Sequence, residues 1–102
     1  MLPVATARGP RRAGELLGQV LGHVARDTGS AAALEPVWRS VVGELVAGHA
    51  RCHELRGETL AIRCDAAQWR DELVARQAEL LAKLRAGLGN TGPSRLVFEL
   101  DR

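Results

Sequence analysis

Four side chains in this chain are of the kinds that hold zinc: His49, Cys52, His53 and Cys64. Zinc sites space their ligands closely, as in C-x-x-C, and the chain has no such cysteine pair. Residues 51–56 and 59–64 alternate like two strands of a hairpin, whose pleat sends Cys52 and Cys64 to opposite faces. Side chains that face apart can neither share a metal nor meet disulfide geometry, so neither a metal nor a cofactor is expected. His53 shares the face of Leu55, Leu60 and Ile62 and reads as a partly buried core histidine. Nucleophilic chemistry has as little support. Ser30, Ser40 and Ser94 have no histidine at a telling spacing, and G-x-S-x-G, G-x-x-x-x-G-K and H-E-x-x-H are all absent. Asp71 and Glu72 fall on an exposed helix face. The sequence is not expected to be an enzyme or to have a small-molecule substrate.

The remaining chemistry is cationic. Of 102 residues, 14 are Lys or Arg and 12 Asp or Glu, a formal net charge of +2. Arg8, Arg11, Arg12 and Arg26 against Glu15 and Asp27 give +4 − 2 = +2 within the first thirty residues, so the later charges cancel. Residues 1–12, with two prolines, a glycine and three arginines, read as a disordered basic arm. Further on, Arg56, Arg63 and Arg95 occupy alternate strand positions that face outward. Together the arm and this strip offer phosphate contacts. The strip has no aromatic side chain for base stacking, so the contact expected is weak, salt-sensitive and sequence-neutral. The same arginines also read as ordinary solvated charges.

Positioning these groups requires a sheet and helices. The stretch Gly57–Leu88 organises the chain: Leu60, Ile62 and Cys64 alternate with Thr59, Ala61 and Arg63 as a strand, and at Asp65 the period changes. Trp69, Leu73, Leu80, Leu84 and Leu88 then lie on one face of a long helix. Asp65 is placed to cap it, with Gln68 as the reciprocal capping-box residue. Glu72 with Arg76 and Glu79 with Lys83 make favourable i, i+4 pairs, and Gly87, Gly89 and Asn90 stop the helix. Trp69 reads as a core side chain of this unit, and Trp38, upstream, as a core anchor.

Upstream, Ala13–Arg26 predicts a helix that buries Leu16, Leu17, Val20, Leu21 and Val24, with Gly14, Gly18 and Gly22 on its other flank. A second helix, with Pro36 tolerated in its first turn, carries Leu34, Trp38, Val41, Val42 and Leu45 as its apolar stripe and ends at Gly48. Gly57-Glu58 carries the type II′ hairpin signature, which sets Leu55 opposite Leu60, His53 opposite Ile62, Cys52 opposite Arg63 and Arg51 opposite Cys64. Leu96, Phe98 and Leu100 alternate in a third strand, which a helical crossover must run parallel to one hairpin strand. The expected architecture is α+β, one two-layer domain over residues 13–102 in the order α-α-β-β-α-β, with a three-stranded mixed sheet on helices. No apolar run approaches the roughly 20 residues that span a bilayer. The N-terminus has its apolar residues before its charges, the reverse of a secretory signal, so a cytoplasmic protein with reduced thiols and no membrane contact is expected.

The ordered set P-V-W-R-S-V-V-G-E-L-V-A-G-H-A-R (36–51), L-R-G-E-T-L-A-I-R-C-D-A-A-Q-W-R-D-E-L (55–73), E-L-L-A-K-L-R-A-G-L-G (79–89) and R-L-V-F (95–98) resembles the DciA family of bacterial proteins. Trp38, Gly43, His49, Leu60, Trp69 and Leu73 match its motif positions and read mostly as scaffold. The resemblance implies a KH-like domain, binding to the replicative DNA helicase, help in its loading, and contact with single-stranded DNA. Two departures are visible. Family members often carry an extension after the domain, and none is expected here. The one G-x-x-G here, Gly89–Gly92, precedes a strand and contains no basic residue, so a KH-type backbone clamp is not expected of it. The alternative is a stand-alone RNA- or DNA-binding domain with no helicase partner.

Overall fold

Strand β2 (Thr59–Cys64) runs through the middle of the sheet, and Leu60, Ile62 and Cys64 on its inner face are fully buried. The computed structural model describes residues 17–101. β2 pairs antiparallel with β1 (Ala50–Arg56) and parallel with β3 (Arg95–Leu100), giving the order β1-β2-β3. This is the mixed sheet that the crossover demanded. Helices α1 (17–28), α2 (Glu35–Val42), α3 (Glu44–Ala47), α4 (Ala67–Ala75) and α5 (Gln77–Leu88) accompany it, with 3-10 turns at Ala31–Leu34 and Gly89–Thr91. The result is a two-layer α+β domain. No helix among the described residues is long and apolar enough to cross a membrane. The basic arm of residues 1–12, and with it Arg8, Arg11 and Arg12, lies outside the described residues, as does Leu16.

Trp38 is the centre of the core. Its side chain is completely buried, and its indole Nε1 donates to the Ala50 carbonyl at 2.8 Å, tying α2 to the start of β1. Leu34, Leu84, Leu88 and Leu96 pack into the same cluster. A buried indole needs such an acceptor, because an unpaired N–H forfeits its hydration for nothing. Trp69, expected in the core, is only half-buried. It lies at the rim of the core and stacks on the His49 ring, with centroids 4.7 Å apart and planes 11° from parallel.

Both expected long helices are broken. The second stops at Gly43, whose φ of 88° and ψ of 164° belong to glycine alone, and α3 leaves Leu45 71% exposed instead of on the apolar stripe. The third breaks at Arg76 (φ −110°, ψ 15°), where no glycine or proline marks the place. Gln77, the first residue of α5, donates its amide to the Leu96 carbonyl at 2.6 Å, fixing the bend against β3. The bend lets Leu73 of α4 and Leu80, Leu84 and Leu88 of α5 all reach the core. Asp65 does not cap α4: the N-cap is Ala66, and no side chain bonds to the helix start there. Asp65 instead extends the hairpin, its amide donating to the His49 carbonyl at 2.9 Å. The Lys83–Glu79 pair forms at 3.1 Å.

The first helix docks by the opposite face from the one its apolar periodicity suggests. Gly18, Gly22 and Ala25 are buried, whereas Leu17, Val20 and Val24 are 58%, 55% and 44% exposed. A Cβ on Gly18 would overlap the Gly87 carbonyl, and one on Gly22 would overlap Thr91 Oγ1. The glycines are therefore a groove that receives the backbone at the end of α5 and the Thr91 side chain of the following turn. Arg26 holds that turn from α1, Nε donating to the Thr91 carbonyl and Nη2 to the Gly92 carbonyl, each at 2.9 Å.

Candidate nucleic-acid interface

The hairpin register decides which side chains reach the outer sheet face. Gly57 has φ 59° while Glu58 keeps a negative φ, which is the expected type II′ arrangement. Leu55 lies opposite Leu60 as expected. A bulge between Cys52 and Glu54 then inserts His53, and beyond it the pairs are Cys52–Ile62, Arg51–Arg63 and Ala50–Cys64. The physical reason is plain. The unbulged register would set Arg51 opposite Cys64, on the buried face, where an unpaired charge is costly. The bulge puts Ala50 there, fully buried, and turns Arg51 outward. Two expectations change with it: Cys52 moves to the core side, and His53 is exposed. The Cys52 amide donates to Glu35 Oε1 at 2.9 Å, which gives this edge strand a partner from α2.

Across the outer face the side chains form rows: Arg56-Thr59-Arg95, then Glu54-Ala61-Val97, then Arg51-Arg63-Glu99. Arg56 and Arg95 thus share one row, and Arg63 sits two rows away beside Arg51. Arg56 reaches diagonally to Glu99 (Nη2–Oε2 2.9 Å) and back to Glu54 (Nε–Oε1 3.1 Å). These two hydrogen-bonded carboxylates push its guanidinium further above its ordinary range. The bridge passes over Ala61, which is 1% exposed although it faces outward. Arg95 is exposed and has no ion-pair partner among the described residues. Arg63 Nη1 stands 3.9 Å from Asp101, while its Nε is buried with no acceptor among the described residues. The strip is interleaved with carboxylates, and the charge left for a phosphate lies at its two ends.

At the end of the sheet where β1 begins and β2 finishes, a cleft of about 340 Å³ opens, lined by His49, Arg51, His53, Arg63, Asp65 and Asp101 among others. His49 Nδ1 and Asp65 Oδ2 are hydrogen-bonded at 2.9 Å, and Trp69 covers one face of the ring. Arg51 and the His49–Trp69 stack were missed in the sequence. One signal was available: Ala50, not Arg51, is the residue suited to lie against Cys64. The Gly89–Gly92 turn has basic neighbours after all, but Arg26 and Arg85 bond to its own carbonyls and to that of Pro93.

Cys52 and Cys64 are free thiols, and no three His, Cys, Asp or Glu side chains among the described residues are grouped to hold a metal. Burial, and then the neighbouring Glu35 carboxylate, push the Cys52 thiol far upward; burial, and then Asp65, raise Cys64. A thiolate forms only in the unfolded chain near the ordinary value of 9.0. The unfolded state therefore holds fewer protons above that pH, and stability present below it is lost as pH climbs past it. The expected result is negligible iodoacetamide labelling of either thiol in the folded protein at pH 8, with full labelling in denaturant. Mass spectrometry reads both, and a thermal midpoint that declines above pH 9 checks the sign.

Comparison with known proteins bears on the family of this chain. The family model described as "Dna[CI] antecedent, DciA" matches residues 12–98. A UPF0232 protein of Mycolicibacterium paratuberculosis is 37% identical over 81 residues, covering 71% of this chain and 45% of the relative. A second, from Mycolicibacterium smegmatis, is 32% identical over 93 residues, covering 86% of this chain and 46% of the relative. The chain spans less than half the length of these curated relatives. The ordered tryptophan, glycine and histidine positions fall inside the matched span, and with most of its length covered by the family model the chain belongs to the DciA family.

Proposed function

We propose that this chain is a non-enzymatic accessory of bacterial DNA replication that binds the replicative helicase and assists its loading, with weak, salt-dependent contact to single-stranded DNA. The observation that carries the reading is the family match over residues 12–98, whose description, an antecedent of Dna[CI], points to helicase loading in general. The exposed Leu17, Val20 and Val24 on α1 support a protein partner, since an apolar stripe rimmed by charge is characteristic of docking surfaces. Arg95 on the sheet, Arg51 beside Arg63, and the arm arginines Arg8, Arg11 and Arg12 support the DNA contact. The protein acts in the cytoplasm, where its thiols stay reduced.

The expected outcome of a pull-down from the source cell is recovery of the hexameric helicase whether or not nuclease is added. Recovery that disappears with nuclease would favour a nucleic-acid-binding domain without a helicase partner. In parallel, removing the charges of Arg8, Arg11 and Arg12 should lower the slope of log affinity against log salt for a single strand by roughly 0.7 per lost contact.

A further inference from the structure

We infer that the cleft at the β1–β2 end of the sheet seats one nucleotide of a single strand, with its base stacked on the free face of His49 and its phosphate between Arg51 and Arg63. The inference rests on the single-strand contact proposed above and assigns it a place and a chemistry.

Three observations converge on it. The first is the bulge. By inserting His53, it sets Arg51 directly opposite Arg63, and like charges at directly opposite positions repel. Bulges commonly re-aim side chains at binding sites. Here the result is two guanidinium groups lining one cleft. The second is Arg63 Nε, which is buried without an acceptor among the described residues. The same side chain is 41% exposed overall, and its Nη end, only loosely paired with Asp101 at 3.9 Å, is the part a phosphate oxygen can reach. The third is the ring of His49. Trp69 covers one face and Asp65 holds Nδ1, yet 38% of the side chain remains exposed. An imidazole clamped in this way presents its other face at a fixed angle, as base-stacking platforms do. The sheet carries no aromatic residue on its outer face, so this stack supplies the π surface that the sheet lacks.

The cleft also sets its own limit. Asp65 is engaged with His49, and Asp101 stands 3.9 Å from Arg63, so two carboxylates oppose the two arginines. The site therefore suits one phosphodiester held weakly rather than a free phosphate or a dianionic terminal phosphate.

The test is fluorescence anisotropy of a labelled oligothymidylate titrated with the full chain at several salt concentrations, alongside an abasic strand of equal length. His49→Ala should weaken thymidylate binding roughly tenfold and His49→Phe should restore it, because only stacking is retained. Arg51→Ala should weaken binding several-fold and reduce the salt slope by about 0.7. Asp101→Asn should tighten it about twofold to threefold by removing an opposing charge, a gain that a purely structural role does not give. The abasic strand should bind about tenfold less well than thymidylate and be indifferent to His49→Ala. Folded His49→Ala, Arg51→Ala and Arg63→Ala proteins that bind thymidylate as tightly as a Lys83→Ala control would overturn this site while leaving the single-strand reading intact. Wild-type protein with no salt-sensitive binding would overturn both. Equal binding of the abasic and thymidylate strands would overturn the stacking contact.

Discussion

Replacing Trp38 with alanine is expected to remove about 3–5 kcal/mol of folding free energy, the range for a fully buried large aromatic. A domain of this size holds roughly 5–15 kcal/mol in total, so the variant should sit at the edge of unfolding. The cavity is one part of the loss. The other is the Ala50 carbonyl, which the indole Nε1 satisfies at 2.8 Å and which no replacement apolar group can reach. Trp38→Phe separates the two, keeping most of the volume and forfeiting the hydrogen bond at a cost of about 1–3 kcal/mol. Urea denaturation reads both variants through the midpoint, with the slope unchanged if only the native state is affected. Trp69→Ala should cost distinctly less, because that ring is half-buried and stacked on His49 at the rim. Equal losses at the two tryptophans would contradict the placement of the core.

The second large effect is one of sign. Gly→Ala within an exposed helix ordinarily gains about 0.5–1 kcal/mol. Gly22→Ala should instead destabilise by about 1–3 kcal/mol, the usual cost of overpacking. Its new methyl would meet Thr91 Oγ1, which donates to the Leu88 carbonyl at 2.5 Å and has no freedom to retreat. Gly18→Ala should behave alike, with the Gly87 backbone as the obstacle. Differential scanning calorimetry, with hydrogen exchange of residues 17–28 as the local readout, distinguishes an undocked α1 from global loss. A gain in stability at either glycine would mean that α1 packs on another face.

These two cases show where the sequence was legible. The alternation of Leu60, Ile62 and Cys64, and of Leu96, Phe98 and Leu100, reported the sheet faithfully because period 2 allows a strand few alternatives. The Gly57-Glu58 turn was legible for the same local reason, since positive φ at its first position requires glycine. Leu17, Val20 and Val24 misled. Their spacing marks an apolar helix face but carries no information on whether a sequence-distant element will press on the other side, and the overlaps at Gly18 and Gly22 appear only once α5 is in place. The break at Arg76 is also tertiary: Gln77 finds its acceptor in β3, nineteen positions along the chain. Of the candidate site, Arg56, Arg63 and Arg95 were readable as outward residues. Their carboxylate neighbours and the Arg51–Arg63 juxtaposition depend on the bulge at His53, for which the only local signal was the choice between Ala50 and Arg51 against the core. His49 and Trp69 meet because Asp65 prolongs the hairpin instead of capping α4.

The most direct measurement is sedimentation velocity of the purified, nuclease-treated chain titrated against the purified hexameric replicative helicase of the same cell. The expected result is a saturable shift of the helicase boundary in the absence of DNA, weakened when Val20 and Val24 are changed to glutamate in a variant that remains folded. A helicase boundary that stays unmoved at protein concentrations of tens of micromolar would contradict the account.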